Sequence, residues 1–283
     1  MFKIPVKAVC CIFKINTLVA RNSRKRKLFF ILKPISDIHK VHLLTIVFCT
    51  LVFSLVSLTS RGQYWQKDTL ATSKGNLEIE VVGHCFLHFT FNRMNIYVDP
   101  IPNVADMTRL PKADLILVTH DHRDHLNTDA IEYLSKPGTM VIASKSCIQK
   151  MNFGHFLDNG MQITYNDIYI KAVAAYNVIN LRPDDIPFHP KGDGNGYFMV
   201  FGDKTVYISG DTEYIDEMRT FMKPDAAFVT IMMPFTMDEH MFIQTVKKLK
   251  PKILYPLYYN IDIKSLVEKL SADMPEMKIR VPY

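Results

Sequence analysis

The segment best equipped for chemistry reads Thr119-His120-Asp121-His122-Arg123-Asp124-His125. Directly before it, residues 115–118 (Leu-Ile-Leu-Val) form a continuous apolar run that predicts a buried strand. A rigid strand that delivers polar side chains to a loop lets them converge on one point. Imidazole nitrogens and carboxylate oxygens suit zinc and similar divalent ions. His120 and His122 stand two apart and can chelate one ion together. Asp124 and His125 can then face a second, adjacent ion. A solvated loop would explain an isolated His-x-His pair. It accounts poorly for His-x-His-x-Asp-His packed behind a buried strand.

Other candidates are weaker alone. Asp211 sits in Gly210-Asp211-Thr212 after the run 206–209. By itself this is a Gly-Asp turn; beside the histidine segment it is a further carboxylate presented from a strand end. His84, after Gly83, is either near the site or a satisfied histidine in a turn. His88 alternates with apolar neighbours and is expected to be structural or solvent-facing. His155 in a loop and His240 on a helix have no convergent partners.

The surrounding pattern must position these groups. Strands are expected over 77–82, 86–91, 95–98 and 115–118, the second and third joined near Asn92-Arg93. A helix over 128–134 is opened by Asn127 or Thr128. A strand over 140–143, a helix over 146–151 and a strand over 168–174 follow. Segments 196–201 and 205–209 form a hairpin turning on Gly202-Asp203. A strand over 227–232 precedes an amphipathic helix over 238–249, with Met241, Val246 and Leu249 on one side. A strand over 253–255, a helix over 263–270 and a strand over 277–281 complete the chain. This order implies an α/β fold: an αββα sandwich of two mixed β-sheets flanked by helices.

The net charge of +6 is unevenly spread. Of 34 Lys and Arg against 28 Asp and Glu, ten bases and one acid (Asp37) fall in residues 1–60. The remaining 24 bases and 27 acids leave the main domain slightly acidic, so nucleic acid is not an expected partner. Residues 41–58 are apolar and long enough to span a bilayer or to form the core of a signal peptide. Basic residues precede them and almost none follow, which places 61–283 outside the cytoplasm. The expected organisation is a basic leader over 1–60, a polar linker over 61–75 and a catalytic domain over 76–283. The domain is expected to be exported and periplasmic, with membrane contact through the leader if that segment stays uncleaved. Cys85 and Cys147, the two cysteines beyond the leader, form no disulfide framework.

The histidine segment resembles the hallmark of the metallo-β-lactamase superfamily. Gly83-His84, Val98-Asp99-Pro100, Ala175-Tyr176-Asn177, Phe188-His189-Pro190-Lys191-Gly192, Gly196-Tyr197 and Gly210-Asp211-Thr212 occur in that family's order over about residues 77–259. They are most similar to the branch that holds the ascorbate-phosphate lactonases and N-acyl-phosphatidylethanolamine phospholipase D. The resemblance implies that His120 and His122 hold a first metal, that Asp124 and His125 hold a second, and that Asp211 bridges them. It implies that Asp99 braces the metal loops.

Two positions depart from the family pattern. Where the family places the third ligand of the first metal stands Asn177, with His189 twelve residues on; either can serve. Where it places a late His stands Tyr258, a poorer ligand whose phenol has an ordinary pKa near 10. The implied function is a metal-dependent hydrolase, with zinc the expected ion and manganese or iron as alternatives. A metal-activated water would attack an ester, lactone or phosphodiester in a small-molecule or lipid substrate. Asp124 would handle the water's proton and Tyr258 would donate to the oxyanion. The alternative is a non-catalytic member that binds metal or ligand, which Tyr258 motivates.

Overall fold

The computed structural model describes residues 66–281. The leader and its apolar segment 41–58, with residues 61–65 of the expected linker, lie outside the described residues. Among the described residues no helix is long and apolar enough to cross a membrane.

Among the described residues, fourteen strands form two seven-stranded sheets in chain order. The first holds β1 (Gln66–Thr72), β2 (Gly75–Gly83), β3 (Phe86–Phe91), β4 (Met94–Val98), β5 (Leu115–Val118), β6 (Met140–Ala143) and β7 (His155–Phe156). The second holds β8 (Gln162–Tyr165), β9 (Ile168–Ala175), β10 (Gly194–Phe201), β11 (Lys204–Ile208), β12 (Ala226–Ile231), β13 (Ile253–Tyr259) and β14 (Lys278–Ile279). Each sheet is antiparallel in its first half and parallel in its second. Four helices connect the parallel strands or follow them: α1 (Thr128–Leu134), α2 (Lys145–Met151), α3 (Glu239–Leu249) and α4 (Ile263–Asp273).

The layers follow from side-chain alternation. On β5, Leu115 and Leu117 enter the core between the sheets, while Ile116 and Val118 enter the core under α1 and α2. That double burial is why the run is continuously apolar. Val81, Leu87 and Phe89 join Met199, Phe201 and Phe228 between the sheets. Phe242, Val246 and Leu249 of α3 pack with Leu266 and Leu270 of α4 on the outer face of the second sheet. Met241, expected on that face, is only half-buried; Phe242 fills the position. The result is the expected αββα sandwich.

The linker expectation needs correction over 66–72, which forms β1 and pairs with β2 from Gln66↔Val81 to Thr72↔Gly75. Its residues alternate between exposed and half-buried, and only Leu70 is a large apolar side chain. Lys67 and Asp68 suit an edge strand that must not invite further pairing. So polar a sequence carries little strand signal. The Asn92-Arg93 turn is as expected, with both residues in the left-handed region (φ 48° and 66°) that a type I′ hairpin requires.

His88 is neither a site residue nor solvent-facing. It is buried on β3, its Nδ1 3.1 Å from Glu80 Oε2 and its Nε2 3.1 Å from Asn95 Oδ1. Its ring stacks on Tyr97 at 4.5 Å. Both ring nitrogens thus have a side-chain oxygen partner within the fold. Removing one partner of a buried pair strands the other. Glu80→Ala is therefore expected to destabilise the fold by about 3 kcal/mol in chemical denaturation.

Candidate metal centre

The two sheets meet at the C-terminal end of β5. Asn195 N–H donates to Thr119 O (2.8 Å) and Tyr197 Oη–H donates to Val118 O (2.7 Å). These bonds hold the loop after β5 against the start of β10. The first sheet sends in His84 from the β2–β3 turn, Asp99 from the end of β4, and His120, His122, Asp124 and His125 after β5. The second sends in Asn177 after β9, His189 before β10, Asp211 after β11 and Tyr258 from β13.

Three overlapping ligand clusters result among the described residues. The ligand atoms of His120, His122 and His189 lie within 4.8 Å of one another, and so do those of His120, His125 and Asp211, and those of His84, Cys85 and His125. Asp211 Oδ2 is 3.6 Å from both His125 Nε2 and His189 Nε2, so it stands between those two rings. His189 Nε2 is 3.1 Å from His122 Nδ1. Asp124 Oδ2 is 3.9 Å from His125 Nε2. His120 Nε2, His125 Nε2 and Asp211 Oδ1 are buried and have no hydrogen-bond partner.

The groups behind these atoms orient them. Asp99, buried at φ 46°, accepts from Thr119 N–H (2.8 Å) and Thr119 Oγ1–H (2.6 Å). His125 Nδ1 lies 2.7 Å from Asp99 Oδ2, which leaves Nε2 facing the centre. A carboxylate behind the far nitrogen of a ligating His is the usual orienting device. Asn177 does the same for His189: its Oδ1 is 2.7 Å from His189 Nδ1 and accepts His189 N–H at 2.9 Å. The structure thus places His189 at the centre and Asn177 behind it.

Glu213 is an organiser that sequence reasoning missed. It is fully buried, two residues past Asp211. Its carboxylate accepts the backbone N–H groups of Val178, Ile179 and Asn180 at 2.7 Å each, and Asn177 Nδ2–H at 3.1 Å. One side chain thereby ties the loop carrying Asn177 to the strand end carrying Asp211. No spacing pattern announces it; only its burial among backbone donors does.

Electrostatics separate the histidines. Burial, reinforced by the neighbouring histidines, holds His120 well below the usual histidine range. Burial outweighs the pull of Asp211 and lowers His189 to about 4. His122 is lowered too, chiefly by burial. These three rings are neutral, the form that coordinates metal. Burial opposes charge on His125 as well, but Asp211 and Asp99 overcome it and raise His125 well above that range. Asp124 is held below the usual carboxylate range, first by its contact with His84.

Tyr258 stands at a break in register. Thr230 pairs with Leu257 and Ile231 with Tyr259, so Tyr258 is the extra residue of a β-bulge, at φ 53°. A bulge re-aims a side chain at a sheet end. Here it brings the Tyr258 Oη to 3.5 Å from Asp124 Oδ2. Burial, with Asp124 and Asp211 nearby, raises its pKa and keeps the phenol protonated. His84 lies in the same group: Nε2 is 3.2 Å from Asp124 Oδ2, and its ring centroid is 3.8 Å from that of Tyr258. Cys85 and Cys147 are free and buried, and burial pushes the Cys85 thiol up.

A cavity of about 350 Å³ opens over the centre, lined by His122, Asp124, Arg182, Phe188, Asp211, Phe235 and Tyr258. Arg182 Nη2 donates to Phe188 O (3.0 Å) and lies 3.5 Å from His122 Nε2. In the β9–β10 connection that carries Arg182 and Phe188, Val178, Ile179, Leu181 and Ile186 are exposed. His155 and His240 are exposed and lie outside these clusters.

Comparison with known proteins agrees with this geometry. A family profile described as "Beta-lactamase superfamily domain" matches residues 78–258. A metal-dependent hydrolase from Pelotomaculum thermopropionicum is 30% identical over 187 residues, covering 60% of this chain and 81% of the relative. A crystal structure of a candidate metal-dependent hydrolase from Parabacteroides distasonis is 36% identical, with a TM-score of 0.73 over 77% of this chain and 99% of the other. A metallo hydrolase from Ignicoccus hospitalis, 23% identical, shares the fold with a TM-score of 0.60 over 72% of this chain and 94% of its own.

Proposed function

The chain belongs to the metallo-β-lactamase superfamily, and from that footing we propose that it is a metal-dependent hydrolase of an ester, lactone or phosphodiester bond. The observation that carries the reading is the orphaned set of His120 Nε2, His125 Nε2 and Asp211 Oδ1. Burying polar atoms without partners is costly, and cations bound at this centre would satisfy them. Imidazole nitrogens with carboxylate oxygens suit a first-row divalent ion, with zinc favoured and manganese or iron as alternatives. His120, His122, His189 and Asp211 would hold one ion; Asp124, His125 and Asp211 would hold a second. When bound, such ions activate water and act as Lewis acids.

The chain's own groups have definable roles. The Asp124 side chain is half-exposed in the cavity wall, kept ionised, and able to take a proton from water. The protonated Tyr258 Oη can donate to an oxygen that becomes negative in the transition state. Arg182 contacts a carbonyl, a histidine and the Phe188 ring rather than a carboxylate, so its charge remains available to substrate. Phe188 and Phe235 in the cavity, with the exposed Val178, Ile179, Leu181 and Ile186, favour a substrate with an apolar portion beside its polar reacting group.

The test is turnover on a panel of an aryl ester, a lactone and a phosphodiester, comparing wild type with Asp124→Ala. Wild type is expected to turn over at least one class, and a folded Asp124→Ala variant to lose about 10³-fold in rate. Full activity in the variant removes Asp124 from the mechanism. No turnover of any class by a metal-loaded wild type favours the non-catalytic binder that Tyr258 suggests.

A further inference from the structure

The second ion position has too few strong donors as described. Asp124, His125 and Asp211 face it, and the family's late imidazole is here the phenol of Tyr258. A neutral phenol is a poor substitute for an imidazole. Packed against that phenol is an imidazole the motif alone does not assign. His84 Nε2 is 3.2 Å from Asp124 Oδ2, and its ring centroid is 5.4 Å from that of His125.

Spacing decides what that contact means. Ligand atoms about 2.0–2.2 Å from a tetrahedral ion stand about 3.4 Å from one another. The measured separations are 3.2 Å (His84 Nε2 to Asp124 Oδ2), 3.9 Å (His125 Nε2 to Asp124 Oδ2) and 3.6 Å (His125 Nε2 to Asp211 Oδ2). These bracket the ligand spacing. Ligand atoms of His84 and His125 also fall within 4.8 Å of each other.

The backbone supports the same reading. His84 adopts φ 54°, an uncommon left-handed conformation for a non-glycine residue, beside a register shift in the β2–β3 pairing. Strain of this kind persists where surrounding structure enforces it and often marks a functional side chain. Gly83 before it has no room for a Cβ, which would stand 2.8 Å from Val104 Cβ. The turn is thus held so that the His84 ring enters the centre over Tyr258.

We propose that His84 is a ligand of the second ion, supplying from the β2–β3 turn the imidazole that Tyr258 does not supply from β13. The assignment rests on the metal-dependent reading above. Asp124, His125, Asp211 and His84 then complete a four-donor set. Tyr258 is left as a hydrogen-bond donor beside it.

The experiment is metal stoichiometry by elemental analysis after zinc loading, with the cobalt(II) absorption spectrum as a second readout. It compares wild-type protein, His84→Ala, His84→Gln and the double variant His84→Ala/Tyr258→His. Wild type is expected to hold about two equivalents, and both single variants about one. The double variant, with an imidazole restored from β13, is expected to return to about two, with a cobalt band distinct from that of the single variants. His84→Gln retains a donor toward Asp124, so its loss of the ion separates ligation from hydrogen bonding. It also stands in if His84→Ala fails to fold. Two equivalents retained in a folded His84 variant overturns the proposal. So does a single equivalent shared by wild type and variants. No metal in wild type overturns instead the metal-dependent reading on which it rests.

Discussion

Asp211→Ala is expected to abolish metal binding at both positions and to lower turnover by more than about 10³-fold. Asp211 Oδ2 lies 3.6 Å from His125 Nε2 on one side and 3.6 Å from His189 Nε2 on the other. Its Oδ1 is buried without a partner. Among the described residues, no other carboxylate is found within that distance of both rings. Asp211→Asn is the informative companion: it preserves shape but removes the charge that faces both positions. Elemental analysis and activity are measured together on variants that melt cooperatively. A folded Asp211→Ala protein that keeps its full metal complement would show that the carboxylate is not shared.

The second large effect is on the scaffold. Gly210 precedes Asp211 at φ 61°, and a Cβ there would stand 2.5 Å from Asn195 O. That atom is backbone and cannot swing away. Asn195 also ties the two sheets together through its N–H to Thr119 O. Gly210→Ala must therefore shift β10 or the β11 end, and either displaces a ligand loop. The expected cost is about 3 kcal/mol or more, with loss of most activity. Gly138→Ala is the control: its φ is 89°, but nothing lies within 4 Å of the added Cβ. That change is expected to cost about 1 kcal/mol from backbone conformation alone. Denaturant unfolding of both variants measures the difference. Equal costs would mean that the contact with Asn195 relaxes freely.

The legible parts of this protein were those with local signals. His120, His122, Asp124 and His125 are contiguous in sequence, so one strand delivers them and their convergence can be inferred before the fold is known. The β3–β4 turn and the Gly202-Asp203 hairpin announce themselves through residues that accept unusual backbone conformations. The long apolar strands were legible because burial on two faces leaves no polar position.

What escaped depends on contacts between distant segments. His189 and Asn177 could not be ranked as ligands from sequence, because both lie in the connection between β9 and β10. Their order is set by the hydrogen bond between them and by Glu213, which closes the loop from across the sheet. His84 reads as a turn histidine until β13 brings Tyr258 against it. The aim of Tyr258 comes from a bulge of one residue, which leaves no mark in a run as uniform as Ile253–Tyr259. β1 was missed because an edge strand is stabilised by pairing rather than by its own apolar content. Arg182 carries no sequence signal of its own. Its place in the cavity wall follows from the carbonyl of Phe188 that holds it.

The central claim is that these residues bind a divalent metal, and it is tested most directly by elemental analysis of the purified full-length protein beside His122→Ala. At least one equivalent of a divalent ion in wild type, lost or sharply reduced in the folded variant, is the predicted result. Absence of metal from a well-folded wild type, even after zinc, manganese and iron have been supplied in turn, would contradict it.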